Sequence, residues 1–212
     1  LPRKTPIFDM SSRDKIFARI QRALPPIEER AAPPEYADKE ILSIPHLEGD
    51  DLWDIFARNF SAVNGRTMSS VDGLASFLRE REFTTGYCDP ELMPQVGNQL
   101  AERGLTIETT FDRERYDEIQ FGITRATGAI AESGSLILDD EMTSDRLAAL
   151  SPWVHVGVLH RHEIIRTIPE AVAQFGDSPN IIWATGPSKT ADVEGILIEG
   201  VHGPGEEIAL LL

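Results

Sequence analysis

The sequence predicts an α/β protein: an open, mostly parallel sheet with helices on both faces, preceded by an N-terminal helix and a Pro-rich arm. Three observations predict it. From about residue 50 onward, apolar runs of strand length alternate with amphipathic stretches of helix length, the pattern of strands joined by helical crossovers. The runs at 121–124, 135–138, 154–159 and 181–184 show little polar alternation, as expected of strands covered on both faces. A chain of 212 residues, 41% hydrophobic and 26% charged, is also long and apolar enough for one such domain with a full core.

Taken in order, residues 1–10 lack periodicity and read as a tail. Ser11-Ser12-Arg13-Asp14 opens a helix in which Ile16, Phe17, Ile20 and Leu24 recur at helical spacing until Pro25-Pro26 stops it. From Pro25 to Pro45 the chain is proline-rich with mixed charge, which reads as a linker or wrapping arm. Residues 1–48 are thus tail, helix and arm, and 49–212 the α/β domain. Within it, 50–63 (with Leu52, Ile55, Phe56 and Phe60 on one face) and 71–81 are amphipathic helices. Strand 84–88 follows, then a helix over 90–103 ending at Gly104, and strand 105–109. The remaining strands are the four runs above and 208–212, with helices at 144–150 and 169–175.

Composition narrows the function. With 35 acidic and 20 basic residues the net charge is −15, and no basic stripe with interleaved aromatics is present. Nucleic acid and anionic membrane are therefore not expected partners. The single cysteine, Cys88, excludes an intrachain disulfide and any iron–sulfur cluster held by this chain alone, since such clusters take several thiolates. It reads as a buried small residue. No apolar run approaches the ~18 residues of a membrane span. Arg3 and Lys4 have no apolar core behind them, unlike a secretory signal, so a cytoplasmic protein is expected.

Three glycine-punctuated segments carry the candidate chemistry. In Gly122–Leu138, Glu132 precedes Ser133-Gly134-Ser135 and a buried strand. It is either a displayed base or nucleophile, or a carboxylate that caps local N–H groups or pairs with Arg125. Thr124, Gly134 and Ser135 are ligand-facing candidates on the same segment. In Gly186-Pro187-Ser188-Lys189-Thr190-Ala191-Asp192, an apolar strand ends in small hydroxyl residues, a lysine and an apparent helix start. The phosphate-loop pattern fails because Ser188, not glycine, precedes the lysine, and the three-glycine dinucleotide fingerprint is absent. What remains is an anion-binding turn of Ser188–Ala191 N–H groups, the Ser188 and Thr190 hydroxyls and the Lys189 charge, or a simple N-cap with Asp192 near the helix start. In Gly200-Val201-His202-Gly203-Pro204, His202 sits between glycines where it either faces a pocket or fills a turn. In the cluster His155…His160-Arg161-His162-Glu163, His160 and His162 would point to one face of an extended strand, but no third ligand is placed by spacing, so no metal site is assigned.

Together these segments resemble the lactate utilization protein C family, a single LUD domain. The resemblance rests on Ser11-Ser12-Arg13-Asp14, on Gly122-Ile123-Thr124 through Ala131-Glu132-Ser133-Gly134-Ser135, and on Gly186–Asp192 with Glu194 and Gly200–Pro204. It leaves residues 1–9 as an upstream extension, with Met10 near the usual start. It implies a fold like those of CoA transferases, ribose-phosphate isomerases and formyltetrahydrofolate cyclo-ligases. It also implies a part in oxidising L-lactate to pyruvate with two iron–sulfur partner proteins, this chain being the cluster-free component with no cofactor of its own. In CoA-transferase relatives a glutamate before a small-Gly turn is the nucleophile, which Glu132-Ser133-Gly134 resembles only at the level of fold.

The leading expectation is a non-cluster subunit that binds a small anionic ligand. Glu132, Lys189 and His202 are its candidate catalytic groups. Thr124, Gly134, Ser135, Gly186, Ser188, Lys189, Thr190, Asp192 and Gly203 are its candidate ligand contacts. The alternatives are a stand-alone CoA-transferase-like or cyclo-ligase-like enzyme using Glu132 and Lys189, and a non-catalytic scaffold. Homo-oligomerisation is left open.

Overall fold

The computed structural model describes residues 11–24, 35, 47–140, 142–143, 145–191 and 196–212. The chain divides into two compact units, Leu1–Ser43 and Ile44–Leu212. In the first, helix α1 spans Ser12–Ala23 and is capped by Ser11, whose hydroxyl accepts the Asp14 N–H at 3.2 Å. The expected tail and almost all of the Pro-rich arm lie outside the described residues.

The second unit is α/β. Its elements in order are α2 (Leu52–Ala62), β1 (Arg66–Met68), α3 (Val71–Glu80), β2 (Thr85–Cys88), α4 (Asn98–Glu102), β3 (Thr106–Glu108), β4 (Phe121–Arg125), β5 (Gly128–Ile130) and β6 (Ser135–Asp139). They continue with α5 (Arg146–Leu150), β7 (Val154–Leu159), β8 (Ile164–Ile165), α6 (Ile168–Phe175), β9 (Ile181–Ala184), β10 (Lys189–Ala191), β11 (Leu197–Glu199) and β12 (Glu206–Leu211). Six strands form one sheet in the order β1-β12-β7-β4-β2-β3, and every neighbouring pair in it is parallel.

Alternation along the central strands sends side chains to opposite faces. Val154, Val156 and Val158, with Ile208, Leu210, Phe121 and Ile123, pack under α3 and α4 through Leu74, Leu78 and Leu100. Leu159 and Ala209 belong to the other face, against Phe56 and Phe60 of α2 and Leu136 of a second sheet. That second sheet, β8-β5-β6-β9, is mixed and shares in covering this face. A layer of strands thus joins helix α2 on this face.

Three local expectations need correction. The helix over 90–103 is broken into a 3-10 turn at Pro90–Leu92, a π turn at Met93–Gly97 and the short α4. Pro94 explains the break, because it brings no N–H and its ring crowds the carbonyl four residues earlier. The run Ile181–Ala184 is a strand, but it pairs antiparallel with β6 at the edge of the second sheet and is only partly buried. Finally, the apparent helix start after Gly186-Pro187 is strand β10, paired antiparallel with β11. The Ser188 N–H donates to the Pro204 carbonyl at 2.8 Å and the Ser188 carbonyl accepts from Gly200 at 2.9 Å. Long-range pairing has taken the groups a helix start leaves free. Among the described residues, no helix is long and apolar enough to cross a membrane.

Candidate functional site

A cavity of about 420 Å³ lies where the Gly186–Lys189 link and the His202–Pro204 loop pass over the sheet face that carries His155 and Glu207. That volume falls in the range of small-molecule sites. Much of its wall is apolar, from Leu138, Leu150, Ile182 and Trp183, and its polar groups include Ser188, Lys189, His202, His155 and Glu207.

His155 and Glu207 are set by register. They are opposite residues on the parallel pair β7 and β12, on the face opposite Val154 and Val156. His155 Nδ1 and Glu207 Oε1 are 2.6 Å apart, and His155 Nε2 lies 2.9 Å from the Thr124 hydroxyl on neighbouring β4. All three side chains are buried, Glu207 to 2% exposure. Burial pushes the Glu207 carboxyl above its ordinary range, while the charge and hydrogen bond of His155 oppose that push. Oε2 of Glu207 makes no hydrogen bond among the described residues, and the side chain lines the cavity.

The turns over this floor are stitched to each other and to α2. Gly186 adopts φ +73°, and a Cβ there would come 2.2 Å from the Val63 carbonyl oxygen, so the link lies against the end of α2. Lys189 Nζ donates to that same carbonyl at 2.8 Å and sits 3.7 Å from Glu199 across the hairpin. An ammonium at the carboxyl end of a helix is favourably placed, and it keeps two further donors. Gly203 packs against Ser188, with its would-be Cβ 3.1 Å from that side chain. His202 is exposed at the cavity wall.

The expected residues therefore separate. Gly186, Ser188, Lys189, His202 and Gly203 come together around one cavity. Ser135 reaches its edge through a 2.7 Å hydrogen bond to Thr185, and in turn meets Ser133 at 2.7 Å. Thr124 stands behind the wall, on His155. Thr190 lies on β10, paired with Ile198, and Asp192 falls outside the described residues. The expected cradle of Ser188–Ala191 N–H groups is not formed as drawn, since the Ser188 N–H is committed to Pro204.

Glu132 lies elsewhere. Its Oε2 accepts the Ile168 N–H at 2.8 Å, at the first turn of α6, where a carboxylate complements the helix end. Arg125, the partner expected for it, instead faces Glu91 at 3.9 Å and Glu163 at 3.7 Å. Glu132 is thus a cap, and Glu132→Ala is expected to lower stability by about 1–2 kcal/mol. Urea unfolding checks this, and an unchanged midpoint would contradict it.

The pair His155–Glu207 is what sequence reasoning missed. His155 was grouped by proximity with His160 and His162. Those two rings instead stack 5.6 Å apart at the 3-10 turn Arg161–Glu163. The last strand was expected to begin at 208, which left Glu207 outside it. The available signal was a lone polar residue in the apolar run Val154–Leu159. Among the described residues, no group of three or more His, Cys, Asp or Glu is placed to hold a metal ion.

Residues 93–212 match the family described as LUD domain, a span that contains every cavity residue named above. The sequence is 33% identical over 214 residues to lactate utilization protein C of Macrococcus caseolyticus, covering 89% of each chain. It is 32% identical over 102 residues to lactate utilization protein C of Deinococcus radiodurans, covering 46% of this chain and 48% of that protein. The match to lactate utilization protein C of Oceanobacillus iheyensis is 28% over 125 residues, covering 53% and 54%. In the latter two alignments the chain spans about half the length of the relative. A crystal structure of a DUF162 family protein from Deinococcus radiodurans superposes with a TM-score of 0.54 at 17% identity, over 76% of this chain and 95% of that one, a likeness of fold. The chain belongs to the lactate utilization protein C family and carries its LUD domain.

Proposed function

We propose that this chain is the cluster-free component of a lactate utilization system, supporting the oxidation of L-lactate to pyruvate beside iron–sulfur partner proteins. In this reading the cavity under the Gly186 and Gly203 turns holds a small organic anion of the lactate class. The relatives' names support the pathway. The observation that carries the ligand reading is the cavity itself, a mostly apolar chamber in which Ser188, Lys189 and His202 meet the buried His155–Glu207 pair. An apolar wall suits the methyl group of such an acid, and the donors of Lys189 and Ser188 suit its carboxylate. They supply local positive character against an overall charge of −15.

Cys88 supports assigning the electron carriers to the partners. Its thiol is buried and pushed up to about 12 by burial and by the neighbouring Asp89 charge, so it offers no ready thiolate to a cluster. A free buried thiol also suits the cytoplasm. Glu132 is not among the residues lining the cavity and its Oε2 accepts the Ile168 N–H, which favours this reading over the transferase-like alternative.

Disruption of the gene in its host is expected to abolish growth on L-lactate as sole carbon source while leaving growth on pyruvate unchanged. Normal growth on L-lactate would contradict the proposal.

A further inference from the structure

We infer that Glu207, held by His155, makes this cavity selective for a 2-hydroxy acid over the corresponding 2-oxo acid. The inference rests on reading the cavity as the site of a small organic anion, and it adds what that reading leaves open: which oxidation state the site takes.

The argument starts from hydrogen-bond arithmetic. An ionised carboxylate only accepts. Oε1 of Glu207 is engaged by His155 Nδ1 at 2.6 Å, whereas Oε2 makes no hydrogen bond among the described residues. The group is 2% exposed and lines the cavity. No fully buried side-chain nitrogen or oxygen among the described residues lacks a partner, so this oxygen keeps contact with the cavity, where a ligand can supply its donor. The hydroxyl of a 2-hydroxy acid is such a donor. The carbonyl of a 2-oxo acid is not, and it would set one acceptor against another. Sites that hydrogen-bond a substrate hydroxyl reject analogues without it far more strongly than apolar pockets discriminate by size.

His155 positions the carboxylate rather than meeting the ligand. Its two ring nitrogens are taken by Glu207 and Thr124, which fixes the ring and with it the direction of the free oxygen. The other ionisable side chains near this floor are Lys189, itself beside Glu199, and His202. Glu206, adjacent on β12, faces Arg66 and Arg81 instead. In this reading Lys189 and His202 face the carboxylate that both ligands share, so their contribution cancels in the ratio of the two affinities. Protonation of Glu207 does not cancel. A carboxylic acid can donate to the oxo group, so the preference is full where Glu207 is ionised and fades as pH falls through its raised value.

The test is calorimetric titration of the full chain with L-lactate and with pyruvate from pH 5 to pH 8.5. The wild type is compared with Glu207→Gln, whose amide both donates and accepts. Lactate is expected to bind at least about tenfold tighter than pyruvate at the alkaline end. The ratio is expected to shrink towards acid pH, and in Glu207→Gln to fall within about threefold at every pH. Equal wild-type affinities at alkaline pH, or a ratio unchanged in Glu207→Gln, would overturn the selectivity while leaving the ligand reading standing. Failure of either acid to bind would overturn both. Should Glu207→Gln not fold, the wild-type lactate-to-pyruvate ratio at alkaline pH decides the matter by itself.

Discussion

Replacing His155 by alanine is expected to lower the free energy of unfolding by about 3–5 kcal/mol. The cause is what the substitution leaves behind. Glu207 would stay buried with neither oxygen paired, and the Thr124 hydroxyl would lose its partner at 2.9 Å. Breaking one side of a buried pair strands a charge, whereas replacing both sides by apolar groups is often close to neutral. The double variant His155→Leu/Glu207→Leu should therefore recover much of the lost stability.

The pH dependence separates this from simple loss of packing. Burial raises the Glu207 carboxyl in the folded chain, and His155 opposes that rise. A group raised on folding binds its proton more tightly in the native state, so its contribution falls as pH rises through the raised value. Without His155 that fall is steeper, and His155→Ala should lose more stability at pH 8 than at pH 5. Urea unfolding at both values measures this. A loss under about 1 kcal/mol, or one independent of pH, would contradict a buried charge pair.

Gly134→Ala is expected to cost at least about 3 kcal/mol. Gly134 has φ +62°, and an added Cβ would lie 2.3 Å from the Phe60 nitrogen and 2.5 Å from the Asn59 carbonyl carbon. Both contacts are backbone of α2, whose Asn59 is anchored by bonds to the Ala131 and Glu132 carbonyls at 2.7 and 3.2 Å. Neither side can retreat without parting the turn from the helix. Gly104 is the control: its φ is +88°, but nothing lies within 4 Å of its would-be Cβ. Gly104→Ala should cost only the conformational term, about 1–2 kcal/mol. Equal losses in the two variants would show that the close approach to α2 carries no weight.

The legible parts of this fold are those whose residues answer to local physics. Val154–Leu159 and Ser135–Asp139 are apolar runs buried throughout, and their composition alone marks them as strands. Leu52–Ala62 shows its face through Ile55, Phe56 and Phe60, all buried. Gly128–Ile130 carries no local strand signal, because three residues opened by a glycine read as a turn, and only pairing with β6 and β8 makes them a strand. Lys189–Ala191 has the local signature of a helix for a related reason. Small hydroxyl residues ahead of an acid signal a helix start wherever they stand, and here residues 197–199 pair back on them as the second strand of a hairpin instead.

The site divides along the same line. The turns at Gly186 and Gly203 were visible as glycine punctuation, and the fold brings them together. The pair beneath them was not visible. His155 and Glu207 are 52 residues apart, and they meet only because β7 and β12 are neighbours in the sheet. Glu132 illustrates the converse: its sequence context allowed a nucleophile or a cap, and in the fold its Oε2 accepts the Ile168 N–H, as a cap does.

The most direct test of the central claim is a crystal structure of this chain grown with saturating L-lactate. The expected result is lactate in the cavity, its hydroxyl within hydrogen-bonding distance of Glu207 Oε2 and its carboxylate towards Ser188 and Lys189. An empty cavity, or lactate ordered only elsewhere on the molecule, would contradict it.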